Sequence, residues 1–216
     1  MTTLFEDCTE LQALSDDLGP GTAVLRGCAR DRETAIIDAL FAVAAKSHLR
    51  HMVTPGGFRM SVAMTNSGPF GWVTDRKGYR CTAVDPETND IWPAMPEVFM
   101  DLAREAATMA GYPNFVPDAC LINRYEPGAR LSLHQDKNER DFEEPIVSVS
   151  LGLPAVFLFG GMERSDKTIQ VPVGHGDILV WGGTARLRYH GVNPLREGSR
   201  PIAGGFPFNL TFRKAA

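Results

Sequence analysis

The sequence predicts a mainly β fold, a jelly roll preceded by two helices. After Pro117 the chain breaks into short β-rich runs, with Gly, Pro, Asn or Asp in most of the gaps between them, the pattern of an all-β sandwich or barrel. Before that point two stretches carry apolar residues at helical spacing. No repeat, low-complexity segment or linker divides the 216 residues, and 44% hydrophobic content suffices for one core. A single domain over 1–216 is therefore expected.

In chain order, residues 1–20 carry few signals and are expected to form a flexible arm. From Asp31 to about Ala45, the residues Ala35, Ile36, Ala39, Leu40 and Val43 recur at helical spacing, with Asp31 as the N-cap. Residues 52–82 alternate turns with short runs such as Met60–Met64 and read as strands and loops. Pro96 opens a second helix to about Ala110, which Gly111 ends as a C′ cap. The β runs are 119–125, 131–136, 145–152, 155–159, 169–173, 177–181, 186–192 and 206–213.

Composition narrows the function classes. No run of about 18 apolar residues is present, so a membrane span is not expected. The N-terminus lacks a basic then apolar signal pattern. Cys8, Cys28, Cys81 and Cys120 form no CxxC pair, which suits buried thiols in a reducing, cytoplasmic setting. Nothing in the sequence demands more than a monomer. A net charge of −4 gives no global attraction to nucleic acid; local patches would have to supply it. Arg76-Lys77-Gly78-Tyr79-Arg80 is one such patch, and Lys137 with Arg140, joined by Arg164 and Lys167, is another.

The chemistry concentrates in Leu131-Ser-Leu-His-Gln-Asp136, His190 and Asn209-Leu-Thr-Phe-Arg213. Two imidazoles and a carboxylate bind iron(II) and leave coordination positions open for oxygen and a co-substrate. An arginine on a later strand suits a co-substrate carboxylate. His134 and Asp136 share a face if their strand continues through both, and His190 comes from another strand. His-x-Asp alone is a weak motif, since His175-Gly-Asp177 repeats it. That second copy sits between glycines in a turn and reads as structural. For the first pair alone, metal and bland readings are balanced, and zinc is a chemical rival. His48 and His51 read as surface or packing residues.

Longer motifs carry a resemblance. Thr54-Pro-Gly-Gly57, Met60–Asn66, Pro117–Tyr125, Leu131–Asp136, Pro145–Pro154, Trp181-Gly-Gly183, Tyr189-His-Gly191 and Asn209–Arg213 together resemble the AlkB family. These are iron(II)- and 2-oxoglutarate-dependent dioxygenases that reverse alkylation damage on nucleic-acid bases. The resemblance runs from about residue 22 to 213. It implies a double-stranded β-helix core over 117–213, with a nucleotide-recognition lid over 52–82. It implies iron bound by His134, Asp136 and His190, with O2 and 2-oxoglutarate as co-substrates. Asn123 and Arg213, assisted by Asn209, would hold the C1 carboxylate region, and Tyr125 would bond the C5 carboxylate. Trp72 would stack on a flipped-out base opposite His134, and Tyr79 would touch the nucleic-acid backbone. Thr54, Met64, Ser132 and Arg164 would lie at or near the substrate cavity.

The implied reaction is oxidative dealkylation of bases of the 1-methyladenine and 3-methylcytosine type in DNA, with RNA a further candidate. Formaldehyde, succinate and CO2 are its products. Three positions depart from the family pattern. Pro207 replaces an arginine that clamps the C5 carboxylate, a loss of about 3–5 kcal/mol if nothing replaces it. Arg188, two residues before His190, is the expected substitute if it lies on the same strand face. Asn138 replaces an acidic residue near the base edge, and Leu158 a polar one near the cavity. The rival reading is a nucleic-acid-binding relative that has lost turnover through Pro207. A third is an oxygenase acting on a protein or small molecule.

Overall fold

A computed structural model describes residues 18–195 and 206–216. The expected arm therefore lies largely outside the described residues, but Leu18 is already buried in the core. Among the described residues twelve strands run in chain order: β1 Thr22–Leu25, β2 Ala63–Ser67, β3 Gly71–Asp75, β4 Gly78–Thr82, β5 Ala119–Arg124, β6 Leu131–His134, β7 Ile146–Leu151, β8 Ala155–Phe159, β9 Ile169–Val173, β10 Ile178–Trp181, β11 His190–Val192 and β12 Phe208–Arg213. The helices are α1, Glu33–Lys46, and α2, Glu97–Met109.

Six strands form one sheet in the order β1-β10-β7-β12-β5-β2, and four form the second, β6-β11-β8-β9. The β3–β4 hairpin stands apart as a third. The large sheet is buried on both faces, and its alternation assigns the two sides. Phe208, Leu210 and Phe212 of β12, with Cys120 and Ile122 of β5 and Val147 and Val149 of β7, pack with Ile36, Leu40 and Phe99 of the helices. The intervening residues, Asn209, Thr211 and Arg213, Leu121 and Asn123, Ser148 and Ser150, line an internal cavity. That period of two is what places polar side chains inside a β fold. A second cluster, including Phe157, Phe159, Val171, Leu179 and Trp181, fills the space between the sheets.

The helix expectations hold with corrections. Asp31 is not an N-cap: Arg30–Arg32 form a 3-10 turn, and α1 begins at Glu33 without a side-chain cap. Ala35 is exposed, so the buried stripe is Ile36, Leu40 and Val43. Gly111 does end α2, at φ +91°. Its N–H reaches Thr108 O at 3.0 Å while Tyr112 N–H reaches Ala107 O at 2.8 Å, the paired bonds of a Schellman cap. The segment 52–82 divides, because β2 is the edge of the large sheet and only β3–β4 form a separate hairpin. β1 has no counterpart among the expected runs.

Candidate active site

β6 and β11 pair antiparallel with His190 opposite His134, and their rings lie 4.4 Å apart. This close pairing needs Gly191, since a Cβ there would meet Leu131 O at 2.6 Å. Each imidazole is oriented by a backbone carbonyl: His134 Nδ1 lies 2.8 Å from Ser132 O, and His190 Nδ1 lies 3.0 Å from Arg188 O. A carbonyl only accepts, so both Nδ1 atoms carry the proton and both Nε2 lone pairs are free for a metal. Among the described residues, His134, Asp136 and His190 form the group whose ligand atoms all lie within 4.8 Å of one another.

Asp136 reaches this group by a different route from the expected one. β6 ends at His134, so strand alternation does not deliver the carboxylate. Instead Arg186 Nη1 donates to Asp136 O at 2.7 Å, and Gln135 Nε2 donates to Leu187 O at 2.7 Å. These two bonds tie the loop after β6 to the segment before β11. The decoy pair stays structural. Asp177 accepts from Gly27 N and Arg26 Nη1, both at 2.8 Å, and His175 Nδ1 accepts from Gly152 N at 3.2 Å.

Arg213 Nη2 sits 2.9 Å from Asp136 Oδ2, and Arg213 Nη1 sits 3.4 Å from Glu139 Oε1. Burial alone would raise the Asp136 pKa, but Arg213 and the two imidazoles hold it well below the usual carboxylate range. Although the edge of His134 opens to the cavity, the ring lies deep in the protein. That desolvation, reinforced by His190, lowers its pKa to about 4. Asp136 Oδ2, Arg213 Nε and Arg213 Nη1 are buried with no hydrogen-bond partner. These orphaned groups fit the implied ligands: a divalent cation answers Asp136 and the two Nε2 atoms, and a carboxylate answers Arg213.

One cavity of about 820 Å³ gathers nearly every expected residue: Asn123, Tyr125, Asn209 and Arg213, Trp72 and Tyr79, and Thr54, Met64, Ser132, Asn138 and Arg164 line it with the triad. Pro207 lines it as well. Asn209 is held by Ser148 Oγ at 2.8 Å, Val149 O at 3.1 Å and Thr211 Oγ1 at 2.8 Å, and Asn123 Nδ2 reaches its oxygen at 3.4 Å. Arg188 is the exception. β11 begins only at His190, so the assumed strand face does not exist at 188. Its guanidinium donates to Gly160 O and Leu18 O, both at 2.6 Å, and lies 4.0 Å from the Phe159 ring centroid. Leu158, expected near the cavity, does not line it either.

The hairpin closes one side of the cavity. Trp72 stacks on Tyr79 with ring centroids 5.8 Å apart and planes 24° apart. Asn138 Oδ1 accepts from Trp72 Nε1 at 3.1 Å, and Asn138 Nδ2 donates to Tyr79 O at 3.3 Å. The amide expected at a base edge thus bridges both hairpin strands to the metal-binding loop. Asn66 holds the backbone of Trp72 on both sides, accepting from its N–H at 2.9 Å and donating to its carbonyl at 3.0 Å. Sequence reasoning missed Asn66, Gln135, Glu139 and Arg186, since each works through a partner distant in sequence. A buried arginine or asparagine leaves no periodic trace that would separate it from a surface one.

Comparisons with known proteins agree with this geometry. The model of the 2OG-Fe(II) oxygenase superfamily matches residues 21–213. The chain is 55% identical to the alpha-ketoglutarate-dependent dioxygenase AlkB of Salmonella typhimurium over 216 residues, 100% of this chain and 99% of that one. It is 32% identical to the human nucleic acid dioxygenase ALKBH1 over 114 residues, 50% of this chain and 29% of that one. The solved structure of OsALKBH1 superposes with a TM-score of 0.81 at 28% identity, covering 93% of this chain and 99% of that chain. The family match over residues 21–213 and the full-length similarity, with a His134–Asp136–His190 cluster able to hold a metal ion, place the chain in the 2OG-Fe(II) oxygenase superfamily, within its AlkB family.

Proposed function

We propose that this iron(II)- and 2-oxoglutarate-dependent dioxygenase removes alkyl groups oxidatively from N-alkylated bases in nucleic acid. The observation that carries the reading is the stacked Trp72–Tyr79 pair lining the same cavity as His134, Asp136 and His190. A base inside a duplex cannot reach a buried metal, so it must be extruded and held by stacking. Tyr79 is 47% exposed, and Arg76 and Lys77 at the hairpin turn are exposed beside it. That rim suits a phosphate backbone in a chain whose net charge is otherwise −4. The human relative's name, a nucleic acid dioxygenase, agrees in substrate class.

In this reading His134, Asp136 and His190 hold the iron, and Arg213, with Asn123 and Asn209 beside it, orients the 2-oxoglutarate carboxylate. With both co-substrates bound, the iron supplies the oxidation of the alkyl carbon, which leaves as formaldehyde while 2-oxoglutarate becomes succinate and CO2. Trp72 fixes the base plane, Asn138 and Asn66 fix Trp72, and Tyr125 contributes a hydroxyl to the cavity wall. Formaldehyde release from oligonucleotides carrying 1-methyladenine or 3-methylcytosine, with and without 2-oxoglutarate, is the test. Release that needs both iron and 2-oxoglutarate is expected. Retained DNA binding without turnover, with iron and ascorbate present, would support a binding relative instead.

A further inference from the structure

The loop 135–145 carries a metal ligand yet has no regular secondary structure, so something outside the backbone ladder must hold Asp136 in place. Arg186 is 2% exposed and spends its whole fork on that loop. Nη1 donates to Asp136 O at 2.7 Å, Nε to Glu144 O at 3.0 Å, and Nη2 to Glu139 Oε2 at 3.3 Å. The guanidinium also faces the Phe142 ring, 5.5 Å from its centroid. The Glu139 side chain is 0% exposed and bridges Arg186 to Arg213. Its Oε1 and the facing Arg213 Nη1 make no hydrogen bond, so their contact is one of charge. A buried ion pair of this quality is a poor way to stabilise a fold, because desolvation offsets most of its attraction.

We infer that Arg186 and Glu139 are positioning residues: Arg186 fixes Asp136, and Glu139 balances the charge that Arg213 presents between metal and co-substrate. By formal charge, Asp136 and Glu139 cancel Arg186 and Arg213, so the cluster is neutral before iron and 2-oxoglutarate enter. Removing the Glu139 charge tips it positive, which disfavours a cation and favours an anion. A loss of packing alone would weaken both ligands. The inference rests on the iron and 2-oxoglutarate site and not on the identity of the alkylated substrate. Ligand binding by the wild type checks that site independently.

The experiment titrates Mn(II) into the apoprotein and then 2-oxoglutarate into the Mn(II)-loaded protein, for wild type, Glu139→Gln and Arg186→Lys, with Tm measured on each. For Glu139→Gln the Mn(II) Kd rises roughly tenfold while the 2-oxoglutarate Kd falls about threefold, as expected for one unit charge at short range in a poorly screened site. For Arg186→Lys, which keeps the charge but not the fork, the Mn(II) Kd rises and the 2-oxoglutarate Kd stays within about twofold. Affinities for both ligands falling in step with Tm would mark the pair as fold supports and overturn the inference. Unchanged affinities in both variants would overturn it too.

Discussion

Truncating Trp72 tests the proposed base-stacking role, because the structure separates the ring from its backbone. Asn66 clamps the Trp72 N–H and carbonyl at 2.9 and 3.0 Å, so β3 keeps its place in Trp72→Ala. The indole itself contributes its face to the cavity, its stack on Tyr79 and one bond to Asn138. A base stacked on an aromatic ring is worth about 1–3 kcal/mol, or roughly 5- to 150-fold in affinity. The assay is fluorescence anisotropy of the Mn(II)- and 2-oxoglutarate-loaded protein on a single-stranded oligonucleotide with one 1-methyladenine, beside its unmodified counterpart. The methylated strand should lose most of that factor, and the unmodified strand much less, because backbone contacts remain. Trp72→Phe should fall between wild type and alanine. Equal losses on both strands, or none on the methylated one, would refute the stacking role.

Other consequences follow from neighbouring residues. Pro207→Arg places a cation on the cavity-lining side of the β12 segment, and its carbonyl still accepts Tyr125 N–H, now at 3.0 Å. The 2-oxoglutarate Kd should drop at least about tenfold, and an unchanged Kd would mean that position 207 does not meet the distal carboxylate. Arg188→Ala should leave 2-oxoglutarate affinity unchanged by titration, because its fork serves Gly160 and Leu18. It should lower stability by about 1–3 kcal/mol in urea unfolding as those carbonyls lose a charged donor. His134 titrates near 4 in the fold against an ordinary 6.5, so between these values the unfolded chain binds more protons. Apoprotein stability should therefore be retained above about 6.5 and decline as pH falls toward 4. His134→Gln should flatten that slope in Tm measured from pH 7 to 5, and parallel slopes would show that another group sets it.

Much of the site was legible because its chemistry lies in short local motifs. The resemblance named Asn209 and Arg213, and the period of two sets both, with Thr211, on the cavity side of β12, while Leu210 and Phe212 pack toward the helices. The glycine-flanked His175-Gly-Asp177 could be set aside for the same reason, as a turn whose side chains cap nearby backbone. Asp136 joins the two histidines as expected, though from a loop, whereas Arg188 misses the cavity; both placements assumed strands that continue two residues too far. An alternation argument cannot see where a ladder stops. Asn138, expected near the base edge from the resemblance, lines the cavity, and its amide also bonds Trp72 and Tyr79, which no local pattern could show.

By itself the sequence determined the ligand types, the β class and the two helices, since these depend on residue chemistry and on periods of two and 3.6 along the chain. Tertiary structure decided the register that sets His190 opposite His134, the direction in which Arg188 points, and the partners of Asp136 and Arg213. These depend on contacts between segments far apart in sequence. Arg186, Glu139 and Asn66 acquire a role only once folding has buried them beside their partners.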